Sequence, residues 1–205
     1  CPHLGVPLLT ILLHGGPGCG KTALSAHLAR TSEYPFVRRI SAENYVGYSE
    51  SSKVAAMTKV FEDAYKSSLS MVVLDDVERL MDYVRLGPRF CNPVLQAMYA
   101  FLKRQPPTVG RRLLIIGTTS EPGFLEEIDL FRLFNVVLEV PVLTTGEHFK
   151  LVLQGLPGFT PQAVDEIQRE LHGQQIGIKT LLLIAEMAVQ RQNPVQKEVF
   201  MDCVQ

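Results

Sequence analysis

No charge sign predominates in this sequence: 20 basic and 21 acidic side chains leave a formal net charge of −1. Such a balance supplies no broad field for a nucleic acid or an anionic membrane, so no nucleic-acid partner is expected. No apolar run approaches the roughly 20 residues needed to cross a bilayer, and no charged-then-apolar leader opens the chain, so a soluble protein without direct membrane insertion is expected. Cysteine is sparse, and Cys1, Cys19, Cys91 and Cys203 have neither paired nor metal-ligand spacing. That pattern favours reduced thiols in a cytosolic compartment over a disulfide framework. Internal repeats and low-complexity tracts are missing, the Gln174-Gln175 and Gln190 to Gln192 bits being too short to matter. An initiator methionine is missing too, and the start at Cys1 reads as a piece of something longer. The 205 residues suffice for one medium domain, or a larger domain with a small appendage, around a substantial core.

The most specific stretch is His14-Gly15-Gly16-Pro17-Gly18-Cys19-Gly20-Lys21-Thr22. It follows the apolar run Leu8 to Leu13 and precedes the helical pattern from Ala23 to Ala29, so it falls at a turn from a buried strand into a helix. Gly15, four residues, Gly20, Lys21 and Thr22 match the spacing of a phosphate-binding P-loop. Glycines let the backbone curl so that its N–H groups point at a phosphate, Lys21 meets the β and γ oxygens, and the Thr22 hydroxyl can ligate magnesium. Gly16 to Ala23 are therefore the candidate residues for a nucleoside triphosphate.

Beyond this turn, strand and helix patterns alternate. Strands are expected at Pro35 to Ile40, Met71 to Leu74, Arg112 to Thr118 and Val136 to Val140; helices at Lys53 to Ser67, Asn92 to Arg104 and Phe124 to Phe134. Alternating βα units need a parallel sheet with helices on both faces. After Gly146 only helical patterns remain, at Glu147 to Leu153, at Pro161 to Leu171 behind the N-cap candidate Thr160, and at Ile178 to Gln192. The expected class is α/β, a P-loop NTPase with a five-stranded parallel sheet over residues 1–143, followed by a small helical lid over 144–205.

Asp75 and Asp76 end a strand of four apolar residues, at the sheet edge where ligands bind. Asp75 can serve the magnesium shell. The next acid in P-loop ATPases commonly orients the attacking water and is usually glutamate; Asp76 is one methylene shorter, by about 1.5 Å. Since a misplacement of about 1 Å can cost on the order of 100-fold in rate, tight binding and slow hydrolysis are expected. The fourth strand, expected between the P-loop strand and the Asp75 strand, ends in Thr118-Thr119-Ser120. Ser120 is either a sensor of the γ-phosphate or part of a turn capping the next helix.

These residues together resemble an AAA ATPase module. Leu74 to Val84, Gly87-Pro88-Arg89-Phe90, Arg112 to Ser120 and Ile176-Gly177-Ile178-Lys179 are similar to the second ATPase domain of the N-ethylmaleimide-sensitive-factor family of SNARE-disassembling ATPases. The resemblance covers about Leu12 to Gln192, and is thinner in the tail. It implies a cytoplasmic protein, peripheral to trafficking membranes, that binds ATP and Mg2+ firmly, hydrolyses slowly and uses the nucleotide to hold a homo-hexamer together. SNAP adaptors and SNARE complexes engage other parts of the parent protein. Carried over by position, Lys179 reaches the γ-phosphate from the lid with Ile178 near the adenine, and Lys103 approaches the neighbouring subunit's nucleotide. Taken alone, either lysine reads better as a solvated helix charge.

Three features depart from that pattern. Cys19 lies inside the P-loop, where a thiol beside inward N–H groups and a helix N-terminus is expected to be reactive. Tyr45-Val46-Gly47 fits the aromatic, apolar, glycine pattern of pore loops, so an active motor that pulls polypeptide with Tyr45 is the alternative reading, beside that of an incidental loop tyrosine. Arg132 stands near an arginine-finger position without the usual surrounding pattern, and no finger is expected there. A P-loop kinase or GTPase is disfavoured, because no Asn-Lys-x-Asp guanine-reading motif and no acceptor-substrate lid are found.

Overall fold

A computed structural model describes residues 5–85 and 89–204; Cys1, Gly87 and Pro88 lie outside the described residues. Chain contacts divide it into two compact units. The first comprises the residues up to Gly15 together with Lys21–Glu139; the second comprises Gly16–Gly20 together with the chain from Val140 onward.

The first unit is built on five strands: β1 (Leu8–His14), β2 (Phe36–Ile40), β3 (Leu69–Leu74), β4 (Arg112–Thr119) and β5 (Val136–Glu139). They form one sheet in the order β2-β3-β4-β1-β5, and every neighbouring pair is parallel. The expected place of the fourth strand, between the P-loop strand and the Asp75 strand, is thus observed. β3 reads as an unbroken apolar run because Met71 to Leu74 are all buried, as a central parallel strand covered on both faces must be. The polar Thr10 in β1 is also fully buried and exchanges bonds with the start of β5. Its hydroxyl lies 2.9 Å from Asn135 Oδ1 and accepts the Asn135 N–H at 2.9 Å.

The helices of this unit are α1 (Lys21–Thr31), α2 (Glu50–Ala64), α3 (Val77–Leu80), α4 (Asn92–Lys103) and α5 (Pro122–Glu127). On α2, Met57, Phe61 and Ala64 share a buried face at helical spacing. Phe61 stacks on Phe101 of α4 with ring centroids 4.1 Å apart, each such ring burying a large apolar area. The helix expected from Phe124 to Phe134 is broken into α5 and a 3-10 turn at Phe131–Leu133. Asp129 between them has φ of 54°, a left-handed conformation that no continuous helix contains, and the reversal lets Leu130 bury completely.

The second unit contains α6 (Gly146–Gln154), α7 (Pro161–Glu170), α8 (Ile178–Arg191) and α9 (Lys197–Val204). Thr145 and Thr160 cap α6 and α7, their hydroxyls accepting the N–H of His148 and Ala163, as N-cap chemistry requires. Phe149, Leu153, Ile167, Leu171, Leu181 and Phe200 are wholly buried in one core, each contributing about 1.5–3 kcal/mol. α9, which supplies Phe200, was not among the expected helices.

Candidate functional site

The strand-to-helix turn falls where the glycine spacing put it: β1 stops at His14 and α1 starts at Lys21. In the first unit, Lys21 is buried and its ammonium donates to Gly15 O at 2.9 Å and to Ser120 Oγ at 3.0 Å. Ser120, from the end of β4, is thereby brought to the P-loop lysine. The Thr119 hydroxyl accepts the Glu121 N–H at 3.0 Å in a local turn, and α5 starts without a side-chain cap.

Asp75 sits at the β3 terminus, 3 % exposed. One of its oxygens accepts the hydroxyls of Thr22 and Thr118, each at 2.8 Å. The other accepts both Nε and Nη2 of Arg39, at 3.0 and 2.6 Å. Thr118 also accepts the Asp76 N–H at 2.9 Å, so one buried hydroxyl ties the end of β4 to both aspartates. Asp76 itself has φ of 50°; aspartate is among the few residues that tolerate this left-handed region. Its carboxylate is 3.9 Å from Arg79. Burial, and then the charge of Asp75, raise its pKa above the ordinary aspartate value.

Two further residues complete this cluster. Glu78, the second residue of α3, is 7 % exposed and accepts the Thr119 hydroxyl at 2.7 Å and the Ser120 N–H at 2.9 Å. Arg39, from β2, supplies the fork on Asp75 described above. Neither was singled out from sequence. Glu78 reads there as an ordinary helix charge, and only the pairing of β3 with β4 brings it to Ser120.

Within the second unit, the loop Gly16–Gly20 packs against the start of α8. The Lys179 N–H donates to Gly18 O at 3.1 Å. Gly20 has φ of 95°, and a β-carbon there would lie 3.1 Å from Ile178 Cγ2, so glycine is required on both conformational and packing grounds. Ile178 and Lys179 are thus brought to the glycine loop, with the Lys179 side chain exposed. Gly16 and Pro17 are exposed, as is Ala23 in the first turn of α1. Cys19 is only 6 % exposed, so burial opposes the reactivity expected of its thiol.

Other candidates stand apart from these groups. Lys103 ends α4, exposed. Arg132 lies in the 3-10 turn before β5, exposed and 3.8 Å from Asp129. Tyr45 ends a 3-10 turn at Ala42–Tyr45 and packs, half buried, against the first unit's core, while Val46 and Tyr48 are the exposed residues of that loop. The aromatic chosen for gripping a substrate chain is therefore partly turned inward.

The donors fit the groups expected of them. Thr22 and Asp75 offer adjacent hard oxygens, the sort of small protein set Mg2+ takes beside phosphates and waters, and the positive-φ glycines Gly18 and Gly20 suit a backbone curled round an anion. Residues 11–142, which hold the end of β1, the acid pair and the whole of β4, match the ATPase family associated with various cellular activities. The chain belongs to the AAA family. Among its relatives, this AAA chain is 46% identical over 186 residues to a vesicle-fusing ATPase of Dictyostelium discoideum. It is 45% identical over 187 residues to one of Arabidopsis thaliana, each alignment covering 91% of this chain and 25% of the relative. To the vesicular-fusion protein SEC18 of Saccharomyces cerevisiae it is 39% identical over 197 residues, covering 94% of this chain and 26% of that protein. The AAA chain therefore spans about a quarter of the length of these relatives.

Proposed function

We propose that this chain is an ATP-binding AAA module with slow hydrolysis, serving the nucleotide-dependent hexamer assembly of a vesicle-fusing, SNARE-disassembling ATPase. Lys21 holds the β and γ phosphates, and Thr22 and Asp75 hold Mg2+, which when bound draws charge off the phosphates. Ser120, already on the Lys21 ammonium, reads the γ-phosphate. Asp76 accepts a proton from the attacking water; its raised pKa suits a base, while its short side chain leaves the carboxylate back from the reacting atoms.

The observation that carries the reading is Asp76, an aspartate in the left-handed conformation directly after the buried Asp75. A shortfall of about one methylene there is enough to slow the chemical step on the order of 100-fold. Lys179, at the α8 end that meets the glycine loop, and the exposed Lys103 are proposed to bring positive charge to the nucleotide from the lid and from a neighbouring subunit. A cation delivered from a second body stabilises that body's association whenever nucleotide is present. SNAP adaptors, SNARE complexes and a cytoplasmic place beside trafficking membranes are proposed for the parent protein, through the relatives named above. Half-buried Tyr45 gives the polypeptide-gripping alternative no support.

ATP turnover per subunit, measured beside oligomer mass with and without ATP, tests the proposal. Slow turnover with a nucleotide-dependent hexamer is expected. Fast turnover, or a hexamer that survives removal of nucleotide, sinks it.

A further inference from the structure

Both oxygens of Asp75 are engaged within the chain, and one of them is paired with a full positive charge. Two hydroxyls occupy one oxygen, and a two-pronged guanidinium occupies the other. The Arg39 side chain is half exposed, whereas Asp75 is 4% exposed at its side chain. Burying a carboxylate without a counter-charge is costly, so Arg39 holds the position that the metal's charge otherwise fills. β2 and β3 pair from Phe36 with Ser70 through Ile40 with Leu74, so the fork arises from the sheet itself. Half exposure leaves the guanidinium free to swing outward with little loss of packing.

We infer that Arg39 is a positioning residue that substitutes for Mg2+ at Asp75, competing with the ion and easing the binding of metal-free ATP. The inference rests on the assignment of Asp75 to the metal. With Arg39 seated on one Asp75 oxygen and Thr22 on the other, the Asp75 charge is screened from an incoming triphosphate; were Mg2+ held by Thr22 and Asp75, its charge would take over that screening and the guanidinium would be released. Two cations sharing one carboxylate are linked, and linkage is reciprocal: whatever Mg2+ does to the Arg39 contact, Arg39 does to Mg2+ affinity.

The test reads binding rather than turnover. The dissociation constant of ATP is measured by calorimetry on the chain with saturating Mg2+ and with EDTA, for the wild type, Arg39→Gln and Arg39→Lys. Arg39→Gln is expected to raise the ratio of the EDTA constant to the Mg2+ constant by about fivefold or more, the low end of typical site-to-site couplings. It is also expected to lower the Mg2+ concentration for half-maximal ATP binding. Arg39→Lys keeps the charge but not the fork, and is expected to raise the ratio at least about twofold, less than Arg39→Gln and below the typical range of such couplings; it decides the matter if Arg39→Gln does not fold. An unchanged ratio in the folded variant overturns the inference while leaving the nucleotide site intact. A wild-type chain that binds no ATP under either condition overturns both.

Discussion

Replacing Glu78 by alanine removes the carboxylate that joins α3 to the end of β4. The side chain is almost wholly buried and accepts two hydrogen bonds, one from the Thr119 hydroxyl at 2.7 Å and one from the Ser120 N–H at 2.9 Å. Bonds to a charged acceptor are worth about 1.5–3 kcal/mol each, so the pair amounts to about 3–6 kcal/mol gross. Release of the desolvated carboxylate returns part of that, and water entering the vacated space satisfies part of what is left. The expected loss is about 2–4 kcal/mol, within the range for breaking a buried hydrogen-bond network. Glu78→Gln keeps an acceptor for the Ser120 N–H but faces Thr119 with an N–H donor, so that hydroxyl must turn from donating to accepting; the change is expected to cost about 1 kcal/mol. Urea unfolding at fixed pH, with the slope compared between variants, measures both. Because Ser120 Oγ receives the Lys21 ammonium, ATP affinity is expected to fall in the same order. A Glu78→Ala chain within about 0.5 kcal/mol of wild type, the scatter of ordinary surface changes, refutes the reasoning.

Three shorter predictions concern other parts of the chain. Asp76 has a raised pKa in the folded state, so as pH rises through the ordinary aspartate range the unfolded chain loses its proton first and the fold loses stability. Asp76→Asn is therefore expected to be more stable than wild type at neutral pH, with the gap closing toward acid, and melting curves that show the gap widening on acidification reject the sign. Alkylation of Cys19 is expected to be slow, limited by opening of the loop that buries it, and to slow further with ATP; labelling as fast as that of a free thiol refutes this. Phe149→Ala, at a wholly buried position in the helical unit, is expected to cost about 3–5 kcal/mol; calorimetric scans in which the unfolding transition does not move argue against that core.

Most of the sheet was legible because β1, β3 and β4 are largely apolar runs closed by turn residues, and β3 and β4 needed only their own composition to be found. The P-loop was legible for the same local reason, with glycines, a lysine and a threonine at fixed offsets. Distance along the chain hid the rest. Arg39 sits beside Arg38 in a short strand, where paired cations read as a solvated edge, and its partner is 36 residues away. The region from Phe124 to Phe134 is apolar enough to satisfy a helical period throughout, so the left-handed turn at Asp129 left no mark in the periodicity. α9 was missed because it is short, and its principal anchor, Phe200, gains its meaning from the distant Phe159 ring it meets and from α7 and α8, which pack on α9.

The glycine loop follows directly on β1 near the start of the described chain, yet its packing partner is the first turn of α8, near the end. During synthesis the loop therefore emerges long before the residues that fix it, and closing so long a span is entropically slow. The contact between Gly18 and α8 is among the last features of the fold to form. A ribosome-bound chain ending after β5 lacks the backbone N–H that holds Gly18, so the loop takes its final shape only once the start of α8 has been made.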